Sequence, residues 1–150
     1  MRSLRLANER GTALVEFALV LPVLMLALFG VLDFGKAFNY WNDQQHLAAE
    51  GARWAVVNSN PGGGSLQAYI KQQADTAELR GRATVCISFP SNSETGTSGQ
   101  VGDPVTVTVS SPYPWIPFVA QRANLSPTTT ITGSATMRLE ALPTYSAGCA

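Results

Sequence analysis

The stretch Arg10-Gly11-Thr12-Ala13-Leu14-Val15-Glu16-Phe17 opens an apolar run that continues to Leu32 with Glu16 as its only charge. A helix rises about 1.5 Å per residue, so roughly 20 apolar residues cover the ~30 Å hydrocarbon core of a bilayer. Residues 13–32 therefore predict one transmembrane helix. A charged side chain at bilayer depth costs about 2.5–3.5 kcal/mol and usually serves a partner or a pathway. Glu16 is therefore the first candidate functional residue.

The residues before this run are basic, because Arg2, Arg5 and Arg10 outnumber Glu9. Positively charged flanks stay in the cytoplasm, so we expect the rest of the chain to cross outward. A cleaved secretory signal is the alternative interpretation. Such a signal has a shorter apolar core and ends at a small-residue cleavage site, whereas this run passes directly into Asp33.

Composition argues against several kinds of partner. Charged residues make up 13% of the chain, against roughly 25% in soluble domains, and the formal net charge is zero. We expect no nucleic-acid partner, because phosphate binding needs a clustered cationic face. The chain has one His and two widely separated Cys, which lack the spacing of a zinc site. We therefore expect neither a metal nor another cofactor.

The two cysteines, Cys86 and Cys149, are candidates for a disulfide. An even count fits one bridge in an oxidising compartment, and two separate thiols are the alternative. A bridge would pin residues 143–150 onto the first predicted strand. Without it, we expect that tail to be loose.

The N-terminal pattern carries a resemblance to a known family. A basic leader, Gly11, a small residue, three apolar positions, Glu16 and Phe17, followed by a proline-interrupted apolar helix, resembles the class III signal of type IV pilin-like proteins. The run Gly-Thr-Ala-Leu-Val-Glu-Phe-Ala-Leu-Val-Leu-Pro at residues 11–22 is most similar to TadE-like minor pseudopilins of tight-adherence (Tad, or Flp) pili. The similarity continues through residues 33–38 and 48–53 and, loosely, into the C-terminal part.

This resemblance implies cleavage by a prepilin peptidase on the cytoplasmic face, between Gly11 and Thr12. Residues 1–11 would then be a leader peptide, and Thr12 would be the first residue of the mature chain. The implied location is the bacterial inner membrane, as a single-pass protein with its head outside the cytoplasm, and then the pilus at the cell surface. The implied partners are the peptidase, the lipid bilayer, the inner-membrane assembly platform, other pseudopilins and the major pilin.

Two interpretations of Glu16 stay open. In the first, Glu16 and the adjacent Phe17 act in assembly and processing, and the carboxylate of one subunit neutralises the new ammonium group of its neighbour at low dielectric. In the second, Glu16 lies near enough to the cytoplasmic interface to reach the headgroups. Pro22 removes one helical hydrogen bond, so it predicts a kink or a loosened turn.

Helical spacing continues beyond the span, so we expect one transmembrane and spine helix over residues 12–57, ended by the Asn/Pro/Gly-rich stretch 58–64. Residues 58–150 predict a head of the α+β class. Its expected elements are a second short helix over 66–79, capped by Ser65, and three antiparallel strands at 83–89, 103–110 and 128–139. Alternating Val and Thr give the sheet one wet face, and the spine helix should cover the Val face, as in a pilin.

Two connecting segments have contrasting compositions. Residues 90–102 are rich in Ser, Gly and Thr and predict an exposed, mobile loop. Residues 112–119 hold three prolines, which exclude a central strand. Their large side chains, Trp115, Ile116 and Phe118, together with Val119, are a candidate contact patch for a neighbouring subunit or surface. Covering the end of the sheet is the alternative.

These features favour a structural function. The first hypothesis is a minor pseudopilin that joins or primes a tight-adherence pilus and supports surface adhesion. The alternative is a signal-anchored envelope binding module that never polymerises and uses the proline-aromatic segment as its ligand site. We do not expect an enzyme: Asp43, His46 and Glu50 share a helix face, but no Ser or Cys nucleophile motif accompanies them.

Overall fold

A long helix, α1 (Ser3–Val56), begins the computed structural model, which describes the backbone of residues 3–150 and the side chains of residues 11–150. The basic side chains of the predicted leader lie outside the described residues. The end of α1 at Val56 is adjacent to the predicted end at Val57. The chain divides into two compact units, to both of which α1 contributes: Met1–Lys36 with Trp115–Pro127, and Ala37–Pro114 with Thr128–Ala150.

The second unit contains an antiparallel sheet with, among the described residues, four strands in the order β3-β2-β1-β4. The strands are β1 (Thr84–Ser88), β2 (Pro104–Pro114), β3 (Thr128–Arg138) and β4 (Gly148–Cys149). The predicted α+β class and its three antiparallel strands are confirmed. The sequence does not predict β4, because two residues are too short to carry an alternating pattern.

The Val face of β2 is covered, as predicted. Val105, Val107 and Val109 are fully buried, and the intervening Thr side chains are half-buried. On the wet face, the hydroxyl groups of Thr106 and Thr136 lie 2.7 Å apart across β2 and β3. The covering face of α1 repeats every three or four residues and consists mainly of small or apolar side chains: Ala37, Tyr40, Gln44, Leu47, Ala48, Ala52, Ala55 and Val56.

The prediction that the second strand ends at residue 110 is wrong, because β2 continues through Pro112 and Pro114. Both lie in β2, which pairs with β3 as far as Pro114 and Thr128. The physical reason is that β1 begins at Thr84, opposite Ser110, and does not reach the prolines. Beyond that point β2 pairs only with β3, and a proline tolerates such an edge because its missing N–H can face away from the ladder.

The prediction of one helix over residues 66–79 is wrong, because two short helices occupy that region. They are α2 (Leu66–Gln72) and α3 (Ala77–Arg82). Ser65 caps α2, as predicted, by accepting the N–H of Ala68 at 3.2 Å. Thr76 starts α3 in the same way, accepting the N–H of Leu79 at 3.1 Å. A second N-cap residue inside the apolar pattern therefore divides the helix.

The Ser/Gly/Thr-rich loop before β2 is exposed but tied down by one buried carboxylate. Asp103 accepts hydrogen bonds from the Asn92 amide at 3.1 Å, the Thr97 hydroxyl at 2.9 Å and the Gln100 N–H at 3.0 Å. Burial raises the pKa of Asp103. The hydrogen bonds, starting with the one from the Gln100 N–H, lower it by more, so the net pKa lies below its ordinary value. Asp103 is therefore a charged anchor for the loop.

Candidate assembly and membrane surface

The N-terminal half of α1 exposes its apolar side chains. Leu19 and Val31 are each 72% exposed, and none of the most apolar window of the helix is buried within the protein. The helix is long and apolar enough to cross a membrane. Apolar surface of this extent is stable in lipid or against other apolar helices, rather than in water. The N-terminal helix thus fits a membrane-anchored single-pass protein.

The residues predicted to serve processing and assembly lie on the first described turns of α1. Thr12 and Glu16 are both exposed and stand four positions apart, so they lie on the same helix face. Phe17 is 58% exposed, and a Cβ added to Gly11 would meet no atom within 4 Å. This turn is therefore sterically accessible to a peptidase or a second subunit.

Pro22 lies inside α1, which continues on both sides of it. A proline has no N–H, so the carbonyl oxygen of Ala18 lacks its usual helical donor. This weak point lies in the exposed apolar half, between Glu16 and the end of the apolar run. The predicted kink or loosening at Pro22 stays a prediction.

A short helix, α4 (Pro117–Ala123), lies beside the last apolar turns of α1 within the first unit. Val119 and Ala120 are its buried residues. An apolar groove of about 640 Å³ remains beside them, lined by α1 residues Leu26, Ala27, Gly30, Val31 and Phe34 and by α4-side residues Val119, Arg122 and Ala123. The sequence does not predict α4 as a helix, because Pro112 and Pro114 precede a segment of only seven residues that itself begins with a proline, Pro117.

The candidate contact patch divides into an inward and an outward part. Trp115 is half-buried, and its ring lies 5.2 Å from that of Phe34 on α1. Ile116 and Phe118 are 38% and 45% exposed. Val119 is buried. Trp115 therefore fixes the segment to α1, while Ile116 and Phe118 are available for contacts.

Asp33 also holds this segment, although it is not among the site residues that the sequence predicts. It is only 2% exposed, and its Oδ2 accepts the backbone N–H of Ile116 at 2.8 Å. The sequence offers one indication of this role, which is the position of Asp33 directly after the apolar run and before Phe34. A carboxylate at that boundary costs free energy unless it is hydrogen-bonded. Asp33 therefore helps to fix the start of α4 against α1.

The polar face predicted around His46 is present but open to solvent. His46 Nδ1 lies 3.8 Å from Glu50 Oε2, with the His side chain 75% exposed. Asp43 accepts the N–H of Asp75 at 3.4 Å, and burial, followed by the charge of Asp75, raises the pKa of Asp43. Among residues 11–150, no group of three or more His, Cys, Asp or Glu side chains is placed to hold a metal ion.

The C-terminal tail is joined to the sheet by a disulfide between Cys86 in β1 and Cys149 in β4. The backbone groups of Val85 and Ala150 add two hydrogen bonds, of 2.9 and 3.0 Å. Tyr145 donates its hydroxyl to the carbonyl oxygen of Ala55 at 2.7 Å, and burial raises the pKa of Tyr145 to about 12. The tail is thus fixed both to the sheet and to α1.

Comparison with known proteins agrees with the N-terminal resemblance. Residues 11–53 match the family model described as TadE-like protein. This confirms the TadE-like resemblance over that segment. No curated protein and no solved structure matches the chain. The matched segment contains the candidate processing turn, the exposed apolar half of α1 and most of the face that covers the sheet.

Proposed function

We propose that this chain is a minor pseudopilin that joins or primes a tight-adherence pilus and supports surface adhesion. The proposal rests on two features that occur in the same residues. The TadE-like match over residues 11–53 includes the exposed apolar run 13–32, whose single charge, Glu16, lies one helical turn after Thr12. A helix of this kind can be held first by lipid and then by the apolar helices of other subunits.

In this proposal a prepilin peptidase cuts between Gly11 and Thr12 on the cytoplasmic face. Cleavage frees an ammonium group at Thr12, which no longer takes part in a peptide bond. When the helices of two subunits pack side by side, Glu16 of one meets Thr12 of the other. At an effective dielectric constant near 20, an ion pair at about 4 Å contributes roughly 4 kcal/mol, enough to fix the register of two apolar helices.

The head stays outside the cytoplasm, where the Cys86–Cys149 disulfide can persist. The subunit has no catalytic activity of its own in this proposal. Its partners are the peptidase, the assembly platform of the inner membrane, other pseudopilins and the major pilin. The exposed His46 and Glu50 belong to a solvated helix face.

The test scores processing and incorporation separately for E16A and E16Q. We expect all mature chains to begin at Thr12 by mass spectrometry of membrane-extracted protein. We expect the amount in sheared pili to fall at least about tenfold for both variants, because losing the ion pair removes more than 1.4 kcal/mol. Leu19→Ala is the matched control, since it removes an exposed apolar side chain one turn away and leaves the charge.

Two results would contradict the proposal. A native protein that keeps its leader intact favours the non-polymerising, signal-anchored binding module. Unchanged incorporation of E16A and E16Q, with normal processing, rules out Glu16 as the assembly contact.

A further inference from the structure

We propose that the segment from Trp115 to Pro127, which contains α4, docks into the outer leaflet of the bilayer that α1 crosses, with a lipid acyl chain in the groove beside α4. This inference rests on the part of the proposed function in which α1 spans a membrane. It adds a second membrane contact, located far along the sequence from the span. We call residues 115–127 the interfacial segment.

The depth of the interfacial segment follows from the part of α1 that it lies beside. The groove contains α1 residues from Leu26 to Phe34. If residues 13–32 fill the hydrocarbon core, a rise of about 1.5 Å per residue puts Leu26 roughly 9 Å below its outer boundary, and Phe34 just beyond it. A helix lying beside these residues is therefore at the boundary between acyl chains and headgroups.

The outward side chains of the interfacial segment suit that environment. Ile116, Phe118 and Leu125 are 38%, 45% and 37% exposed. In water the exposed apolar surface of these side chains costs free energy, whereas at the acyl boundary that surface is buried in lipid. Trp115, ring to ring with Phe34, is the residue type that concentrates at membrane interfaces.

Charge favours lipid over a second copy of the chain as the occupant. Arg122 is the only charged residue of the interfacial segment, and its guanidinium carbon lies 5.7 Å from the centre of the Phe118 ring. Among the described residues 11–32 the only acid is Glu16, ten residues and about 15 Å before Leu26 along the helix. The next acid, Asp33, is buried and bonded to Ile116. Lipid phosphates supply the missing anions at the level of Arg122.

The interfacial segment is also held firmly enough to insert as a unit. Asp33 accepts the Ile116 N–H at 2.8 Å, and the Trp115 N–H donates to the Pro127 carbonyl oxygen at 3.2 Å, which closes the base of the segment. Asn124 ends α4 in the left-handed conformation, with φ of 53°. Burying the Asp33 carboxylate against the backbone shields it from lipid. The apolar side chains can then face the acyl chains without an exposed acid beside them.

The test measures the depth of a nitroxide spin label on the full chain in vesicles of phosphatidylethanolamine and phosphatidylglycerol. Because Cys86 and Cys149 are bonded to each other, a single new cysteine can be labelled in F118C or, independently, in L125C. The controls are L24C, on the exposed apolar half of α1, and S98C, in the exposed loop of the head. Collision with oxygen reports lipid, and collision with a polar nickel complex reports water.

We expect the labels at positions 118 and 125 to lie about 5–10 Å into the headgroup and acyl boundary, deeper than at 98 and shallower than at 24. If the labels at positions 118 and 125 are as exposed to water as the label at 98, while the label at 24 is in lipid, the interfacial segment lies in water. This inference then fails, although the membrane anchor stands. If the label at position 24 is also as exposed to water as the label at 98, the membrane part of the proposed function fails as well. Labels at 118 and 125 that are shielded from both reagents would overturn the inference in favour of a second protein copy.

Discussion

The carboxylate of Asp33 and the backbone N–H of Ile116 form a 2.8 Å hydrogen bond between residues 83 positions apart in sequence. It joins the end of the apolar run to the start of α4. A hydrogen bond to a charged group contributes about 1.5–3 kcal/mol, so D33A should speed amide exchange at Ile116 roughly tenfold or more. NMR-detected hydrogen exchange on the full chain in detergent micelles measures this directly.

The conservative variant D33N keeps an acceptor oxygen and should retain most of the protection at Ile116. Asp43→Ala is the matched control, because Asp43 also accepts a backbone N–H, from Asp75, but at 3.4 Å and in the other unit. Unchanged exchange at Ile116 in D33A would show that Asp33 does not hold α4.

A second prediction concerns the close approach of α1 to the sheet. A Cβ on Gly133 would lie 2.5 Å from the carbonyl carbon of Gln44 and 2.6 Å from the Gln45 nitrogen. Both contacts are with the helix backbone, which cannot rotate away as a side chain can. Gly133→Ala should therefore force α1 away from β3 and lower the free energy of unfolding by about 1–3 kcal/mol.

Gly51→Ala provides a graded comparison for Gly133→Ala. Its nearest contact would be the end of the Ile70 side chain at 2.7 Å, which can move, so the loss should be smaller. Gly64→Ala meets no atom within 4 Å and is the neutral control. Denaturant unfolding followed by tryptophan fluorescence ranks the three. A Gly133→Ala variant as stable as Gly64→Ala would mean that helix and strand are not in close contact.

The third prediction concerns the disulfide between Cys86 and Cys149, whose sequence separation is 63. Closing a loop of this size restricts the unfolded chain and stabilises the fold by about 2–4 kcal/mol. The double variant C86A/C149A should lose that amount and show faster exchange at Ala150, which pairs with Val85. Stability unchanged by the double substitution would show that the hydrogen bonds of the tail suffice.

The sequence predicts the parts of the fold that repeat over many residues. The apolar run to Leu32, the three-to-four-residue spacing that ends at Val56 and the Val/Thr alternation of β2 each extend over several turns or pairs. The parts that it does not predict depend either on one local cap or on one partner far along the chain. Thr76 divides a helical pattern, and β4 exists only through its pairing with Cys86 and Ile87 in β1.

The same distinction applies to the candidate site. Glu16 stands out because it is alone in an apolar run, and the Trp115–Phe118 patch because apolar residues lie among prolines. The role of Asp33 in holding α4 is not evident from the sequence, because a carboxylate directly after a membrane span is ordinarily solvated. Only its burial and the bond to Ile116 distinguish it.

The last prediction concerns acid stability and depends on Asp103. Three donors from the 90–102 loop hold its pKa below the ordinary value of 3.8, with burial opposing them. A group whose folded pKa is lowered stabilises the fold above its unfolded pKa, and this stabilisation is lost as the pH falls through the folded value. D103N should therefore be less stable than the wild type at pH 7, and the difference should shrink as the pH falls from about 4 through the lower folded pKa.

Thermal unfolding at several pH values measures this difference. Glu94→Gln is the control, because it removes an exposed carboxylate from the same loop and should leave the wild-type pH profile intact. The Asn side chain in D103N still accepts one hydrogen bond through its oxygen, so the loop should weaken rather than unfold. If the difference in stability between D103N and the wild type is constant from pH 7 to strongly acidic conditions, the charge of Asp103 does not anchor the loop. The size and shape of the side chain would then account for the anchoring.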